Sequence, residues 1–171
     1  VDGRGKFLGE FQGEDRILVV DKNGMFHTTD FDLNNHYVQD YERLEQFEPE
    51  KVWTAIFWDA EQNYYYLKRF RFENTSKQNS FIGETTGSRL ICLSDERHPR
   101  FEIVYGGKYE AKNPEIVVAE EFIGEKSYKA RGKRLTTLEV KQIREIEPLQ
   151  VEEPEVVPEI ELEITNPEDV A

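Results

Sequence analysis

Cations hold the chemistry of this sequence, and they are unevenly placed. From Lys126 to Arg144 there are seven Lys or Arg and one acid, Glu139, a net of +6 in a protein whose formal net charge is −13. The densest part reads Lys126-Ser-Tyr-Lys129-Ala-Arg131-Gly132-Lys133-Arg134. A surface held positive against the charge of the whole molecule most commonly meets a phosphate backbone. The plainer reading is a solvated loop whose lysines only keep it soluble. Two smaller groups of bases stand apart from it, Lys68, Arg69 and Arg71, and then Arg97, His98 and Arg100. Gly132, lacking a side chain, would let the main chain come close to a phosphate.

No catalytic constellation accompanies these bases. His27, His36 and His98 are scattered, with no Cys or His at ligand spacing, so no zinc site is expected. No phosphate-cradling Gly-rich loop precedes a helix, and no Gly-x-Ser-x-Gly elbow occurs. Tyr64-Tyr65-Tyr66 lies in an apolar run and reads as packing rather than as a nucleophile. The single cysteine, Cys92, excludes an internal disulfide, and within Leu90-Ile-Cys-Leu93 it reads as a buried strand residue. What remains is binding.

Charge and hydropathy divide the chain. Residues 145–171 hold ten acids and no Lys or Arg, so the preceding 144 residues carry a net of only −3. The acidity belongs to a tail. Mean hydropathy is −0.72, and no run approaches the ~20 apolar residues of a membrane span. The chain opens Val1-Asp2-Gly3-Arg4 without an apolar stretch or an initiator Met, so a piece of a larger protein without a signal peptide is expected, cytoplasmic by default.

The elements that must position the bases are hairpins. Arg16 to Phe31 has an apolar β-branched run ending at Asp21, then Asn23-Gly24 to supply the positive φ values of a tight turn. Residues 52–72 repeat the plan around Asp59, and residues 89–106 around Asp95, so that the three acids stand 38 and 36 residues apart. Trp53, Ala55 and Phe57 mark one face of the second unit's first strand, and Val52, Ile56 and Trp58 the other. A strand apolar on both faces is covered on both. A hairpin repeat of this period predicts an all-β propeller-like stack of three to four blades, with an ordinary β-sandwich as the alternative. The basic cluster then falls in a connection between the strands of a fourth unit. A short helical turn over Gln39–Phe47, a strand at Glu115–Ala119 and a half-exposed strand at Val140–Ile146 complete the body, 1–149. Residues 150–171, with Pro154, Pro158 and Pro167, form an extended acidic tail in which Ile160, Leu162 and Ile164 alternate with glutamates like an edge strand.

At particular stretches the chain resembles the C-terminal domain of the A subunit of bacterial type IIA topoisomerases, most closely the topoisomerase IV (gyrase-like) A subunit of the Bacteroidetes type. These are Arg16-Ile-Leu-Val-Val-Asp-Lys-Asn-Gly24, Asp30-Phe-Asp-Leu-Asn-Asn-His36, Lys51-Val-Trp-Thr-Ala55, Tyr66-Leu-Lys-Arg-Phe70, Phe101-Glu-Ile-Val-Tyr-Gly-Gly107 and Lys129-Ala-Arg-Gly-Lys-Arg-Leu-Thr-Thr137. The resemblance implies a β-pinwheel whose basic rim binds and bends duplex DNA beside a cleavage core, in a parent enzyme that pairs with an ATPase B-type subunit and uses ATP and Mg. It implies a nucleoid-associated, cytoplasmic location. No cofactor, metal or catalytic residue is expected in this fragment. The Gln-Arg-Arg-Gly-Gly-Lys-Gly-like box that defines gyrase is absent; Lys129-Ala-Arg-Gly-Lys-Arg134 only echoes it.

On this reading the DNA-binding residues are Lys126, Lys129, Arg131, Lys133 and Arg134, joined by Lys68, Arg69, Arg71, Arg97 and Arg100 in a broken belt along one rim. Such a belt holds a duplex by its phosphates without reading bases. The alternative is a blade-type protein-interaction module whose acidic tail recruits a basic partner.

Overall fold

The structure is a computed structural model and describes residues 16–30 and 41–150. Its strands are β1 (Arg16–Asp21), β2 (Met25–Asp30), β3 (Tyr41–Gln46), β4 (Trp53–Asp59), β5 (Tyr64–Phe70), β6 (Asn79–Ser80), β7 (Arg89–Ser94), β8 (Arg100–Tyr105), β9 (Glu115–Val118), β10 (Lys133–Arg134) and β11 (Val140–Ile146). One helical turn, α1 (Ala119–Phe122), follows β9. They form three antiparallel sheets, in the orders β3-β1-β2-β6, β10-β5-β4-β7 and β11-β8-β9. Among the described residues no helix is long and apolar enough to cross a membrane.

Each sheet is built on a hairpin, and the first two hairpins close in the same way. Asp21 accepts the amide of Gly24 at its carbonyl, while its carboxylate takes the amides of Asn23 (2.8 Å) and Met25 (3.1 Å). Asp59 repeats this, with Asn63 N–H on its carbonyl at 2.7 Å and Glu61 N–H on its carboxylate at 3.1 Å. The left-handed turn residues are Gly24 (φ +81) and Asn63 (φ +62). Asn23 does not share the positive φ expected of it, because the loop is a tight turn followed by one left-handed residue rather than a two-residue mirror turn. A methyl at Gly24 would stand 2.5 Å from the side chain of Ile82, so the position excludes a side chain on space as well as conformation.

The third hairpin is not where the repeat places it. β7 does not pair with β8; it runs along β4 (Thr54↔Ser94, Ala55↔Leu93) and completes the second sheet. The third sheet's hairpin is β8 with β9 (Arg100↔Val118, Ile103↔Glu115). Asp95 accordingly caps no hairpin. Lys51 (2.8 Å) and Arg43 (3.6 Å) take its carboxylate, tying the passage between the sheets to β3. Burial opposes ionisation of Asp95, but those two cations hold its carboxyl below the usual range. Tyr41–Gln46 is likewise a strand and not a helical turn, since its Leu44 and Tyr41 side chains pack on Ile17 and Val19 of β1.

The middle sheet is covered on both faces, as the residue pattern of β4 requires. Trp53, Ala55 and Phe57 join Leu18, Val20 and Phe26 of the first sheet in one cluster; Ile56 and Leu67 join Phe101, Ile103 and Tyr105 of the third in another. The first cluster is aromatic. Phe72 lies 4.7 Å from Phe26, 4.8 Å from Phe70 and 5.2 Å from Phe81, ring centre to ring centre. The last two pairs are edge-to-face, and such pairs add about 0.5–1.5 kcal/mol each beyond the area they bury. Strands also cross between units: β6, which follows the second hairpin, pairs with β2, and β10, which follows the third, pairs with β5. This is the all-β, strand-exchanging stack of a β-pinwheel, with three sheets among the described residues. The connection 32–37 and the tail's Ile160, Leu162 and Ile164 lie outside them.

Candidate nucleic-acid interface

The basic cluster is not a free loop. Its backbone is pinned to β5 along its length: Lys126 N–H donates to Arg69 O (2.8 Å), Lys133 and Arg134 form β10 against Leu67 and Tyr66, and Leu135 N–H donates to Tyr65 O (2.8 Å). Tyr128 turns inward, 5% exposed, with its ring edge-on to Phe26 at 4.9 Å. Ser127 makes the turn, its hydroxyl accepting Lys129 N–H and its carbonyl Ala130 N–H.

Lys68 supports the turn from beneath. Strand periodicity puts it on the same face of β5 as Tyr66 and Phe70, and it is 1% exposed. Its ammonium donates to Tyr128 O and to Ala130 O (2.9 Å) and lies 5.1 Å from the Phe70 ring centre. Burial pushes its pKa down to about 7. Lys68 is therefore removed from the DNA-binding residues: a lysine enclosed under the loop cannot reach a phosphate. Gly132 too serves the fold, with φ +92 and room for no side chain, since a Cβ would stand 2.5 Å from Leu67 O. Its close approach is to β5.

The remaining candidates divide by what already holds them. Lys126, Lys129, Lys133 and Arg134 are exposed, the last three lying near aromatic rings at 5.8 Å (Tyr128), 4.5 Å (Phe122) and 4.4 Å (Tyr64). Arg131 is engaged with carboxylates, Nε at 3.1 Å from buried Asp59 and a guanidinium nitrogen at 2.9 Å from Glu61. Arg71 is held by Glu50 and Glu125, both at 2.9 Å. Arg69 donates to Thr54 Oγ1, and Arg100 to Glu147 O. Arg97 is exposed in the passage after β7. Arg100 opens β8 in the third sheet, and α1 stands between this passage and the cluster: Ala119 N–H donates to Pro99 O (3.1 Å) and Lys133 Nζ to Phe122 O (3.3 Å). The compact group of exposed bases is Lys126, Lys129, Lys133 and Arg134.

A cleft of about 310 Å³ runs beside this patch, between residues 80–85 and Tyr128–Arg131, with Phe57, Phe81 and Lys68 lining it. Elsewhere the chemistry is structural. His98 pairs with Glu120, and burial lowers the His27 pKa against the pull of Asp21. Tyr66 stacks on Phe57 and Tyr65 meets Trp58 edge-on. Cys92 is half-buried in β7, its thiol pushed up to about 11 by burial and then by Glu145. No group of His, Cys, Asp or Glu among the described residues is placed to hold a metal.

Sequence reasoning missed the roles of Lys68 and Tyr128. The signal for Lys68 was its place in Tyr64–Phe70, where alternation puts it among inward residues; nothing in the sequence marked Tyr128 or the partners of Arg131.

The family model described as the topoisomerase C-terminal domain of Bacteroidota matches residues 1–147. No curated protein and no solved structure matches the chain. Three antiparallel sheets linked by exchanged strands, and a match over most of its length, make this chain a member of the Bacteroidota topoisomerase C-terminal domain family.

Proposed function

We propose that the domain binds duplex DNA by its phosphates and bends it beside the cleavage core of a parent type IIA topoisomerase. The observation that carries the reading is the patch of Lys126, Lys129, Lys133 and Arg134, exposed side chains on a backbone held by β5, Lys68 and Tyr128. Cations on a fixed track neutralise successive phosphates without reordering the chain, and pairing with phosphate carries no base information. The same reading makes the parent a topoisomerase IV-like, ATP-dependent enzyme with a B-type ATPase subunit, acting at the nucleoid in the cytoplasm; ATP and Mg belong to that holoenzyme. Titration of a labelled linear duplex with the full chain tests it. With about four to six phosphates neutralised, log affinity falls against log salt with a slope of roughly −4 to −5. An affinity indifferent to salt, or one that depends strongly on base sequence, overturns it.

One observation favours a second reading. Arg71, Arg131 and Arg144 are each paired with carboxylates, and residues 1–144 carry a net charge of only −3. A module of that kind with an acidic tail suits a basic protein partner, and no shift of linear duplex at low salt is the result that favours it.

A further inference from the structure

The turn end of the second sheet sets arginines against aromatic rings. In register, Trp58 of β4 lies between Tyr65 of β5 and Arg89 of β7, so the three side chains form one row on one face. Trp58 meets Tyr65 edge-on at 4.8 Å, and the Arg89 guanidinium lies 5.8 Å from the Trp58 ring centre. Arg134 stands over Tyr64 in the same way, at 4.4 Å. The two tryptophans differ in what they do. Trp53 is 1% exposed and belongs to the aromatic core, whereas Trp58 is half-buried and packs in neither core cluster of the described residues. Beside the row is a cavity of about 320 Å³, lined by Trp58, Tyr64 and Tyr65 and by residues 136–140, which lead from β10 into β11. Its size is at the lower end for small-ligand sites, and its walls combine aromatic rings with a few polar groups, as such sites do. Asn63 and Thr137, both exposed, add an amide and a hydroxyl to the lining. Glu139 also lines it, with its carboxylate against Gly107.

We propose that this cavity receives an unpaired nucleobase from a DNA strand whose phosphates lie on the basic patch. The inference rests on the patch being a phosphate-binding surface and adds a second kind of contact to it. Chemistry is the first argument. Aromatic faces accept any base by stacking, and arginines held over the rings supply charge for the phosphates that accompany the base. Continuity is the second. Lys133 and Arg134 form β10, and Thr136 of the cavity wall stands two residues further on, so a strand held by those two cations arrives at the cavity. Charge is the third. Arg134 and Arg89, both exposed, bracket Tyr65 and Trp58 across the sheet order β10-β5-β4-β7. A base inside a closed duplex is already stacked on its neighbours and cannot enter. The cavity therefore favours DNA whose strands are locally open.

The test uses the full chain and two probes. One is an oligothymidylate of about eight nucleotides, within the usual span of single-strand sites, and the other a blunt GC-clamped duplex. Because Trp53 is buried, quenching of tryptophan emission reports Trp58. Oligothymidylate is expected to quench it and the duplex is not. Labelled oligothymidylate should bind about tenfold more weakly to Trp58→Leu, with duplex affinity unchanged. Arg89→Ala, at an exposed position outside the patch, should weaken oligothymidylate about threefold with an unchanged thermal midpoint, which covers a hairpin loosened by Trp58→Leu. Duplex binding without quenching by oligothymidylate overturns this inference and leaves the duplex reading standing. Quenching without duplex binding overturns the duplex reading alone. Equal oligothymidylate affinity for the native chain and both variants overturns the inference in favour of binding by the patch only. Thymidine monophosphate that quenches as strongly at the same nucleotide concentration overturns it in favour of a free nucleotide.

Discussion

The Lys68 ammonium donates to the carbonyl of Tyr128, sixty residues away in sequence, and so fixes the turn that carries Lys129 over the core of the first and second sheets. Its replacement by Met fills similar volume but leaves Tyr128 O and Ala130 O without their donor. Amides 126–132 should exchange faster, and DNA affinity should fall about three- to tenfold although Lys68 touches no DNA, a loss of roughly 1 kcal/mol of the kind one hydrogen bond supplies. Exchange measured without DNA checks the first part and titration the second.

Lys68 also makes stability depend on pH in a stated direction. Its pKa is about 7 when folded against an ordinary 10.5, so between these values the unfolded chain binds more protons. Stability therefore rises with pH through that window, at up to about 1.4 kcal/mol per pH unit for one group. Cys92 acts oppositely from pH 9 upward, because its folded pKa of about 11 exceeds its ordinary 9.0. Thermal midpoints at pH 7.0 and 8.5 should rise for the native chain relative to Lys68→Met. Parallel midpoints would show that Lys68 does not titrate there.

Reversing the patch tests the interface without damaging the fold. Lys126, Lys129, Lys133 and Arg134 changed together to Glu should weaken DNA binding at least a hundredfold at low salt, with a midpoint within a few degrees of the native one. For every phosphate that is no longer neutralised, the salt slope should also flatten by about 0.9. Retained affinity would return the patch to a solvated surface.

Arg131 should behave differently from its neighbours. Arg131→Ala leaves the buried Asp59 carboxylate without its cation, at a cost of about 1–3 kcal/mol because the arginine itself is partly exposed. Its effect on DNA affinity should be smaller than that of Lys129→Ala. Comparing denaturation midpoints and titrations of the two variants separates the roles.

Two glycines of this region make an internal control. Gly132→Ala combines a left-handed φ with a clash against Leu67 O and should cost about 1–3 kcal/mol. Gly124→Ala meets nothing within 4 Å and should be close to neutral. Similar midpoints for the two would contradict the close packing of 126–134 on β5.

The sequence by itself determined the elements whose causes are local. Alternation and β-branching mark β1 and β4, Asp21 and Asp59 mark the hairpin turns, and the two apolar faces of β4 announce a sheet covered on both sides. Charge density located the basic patch. Tertiary structure decided which strand pairs with which. Leu90–Leu93 reads alike whether it starts a hairpin or closes a neighbour's sheet, and only long-range pairing with Thr54–Trp58 settles it. It also decided which cations are available to a ligand. A charge is paired or exposed according to partners far along the chain, as Arg131 is held from Asp59 and Lys68 lies beneath Tyr128. Hairpins form from near neighbours and are legible in order. Exchanged strands and ion pairs arise only when the sheets stack, because their partners are distant in sequence and adjacent only in space.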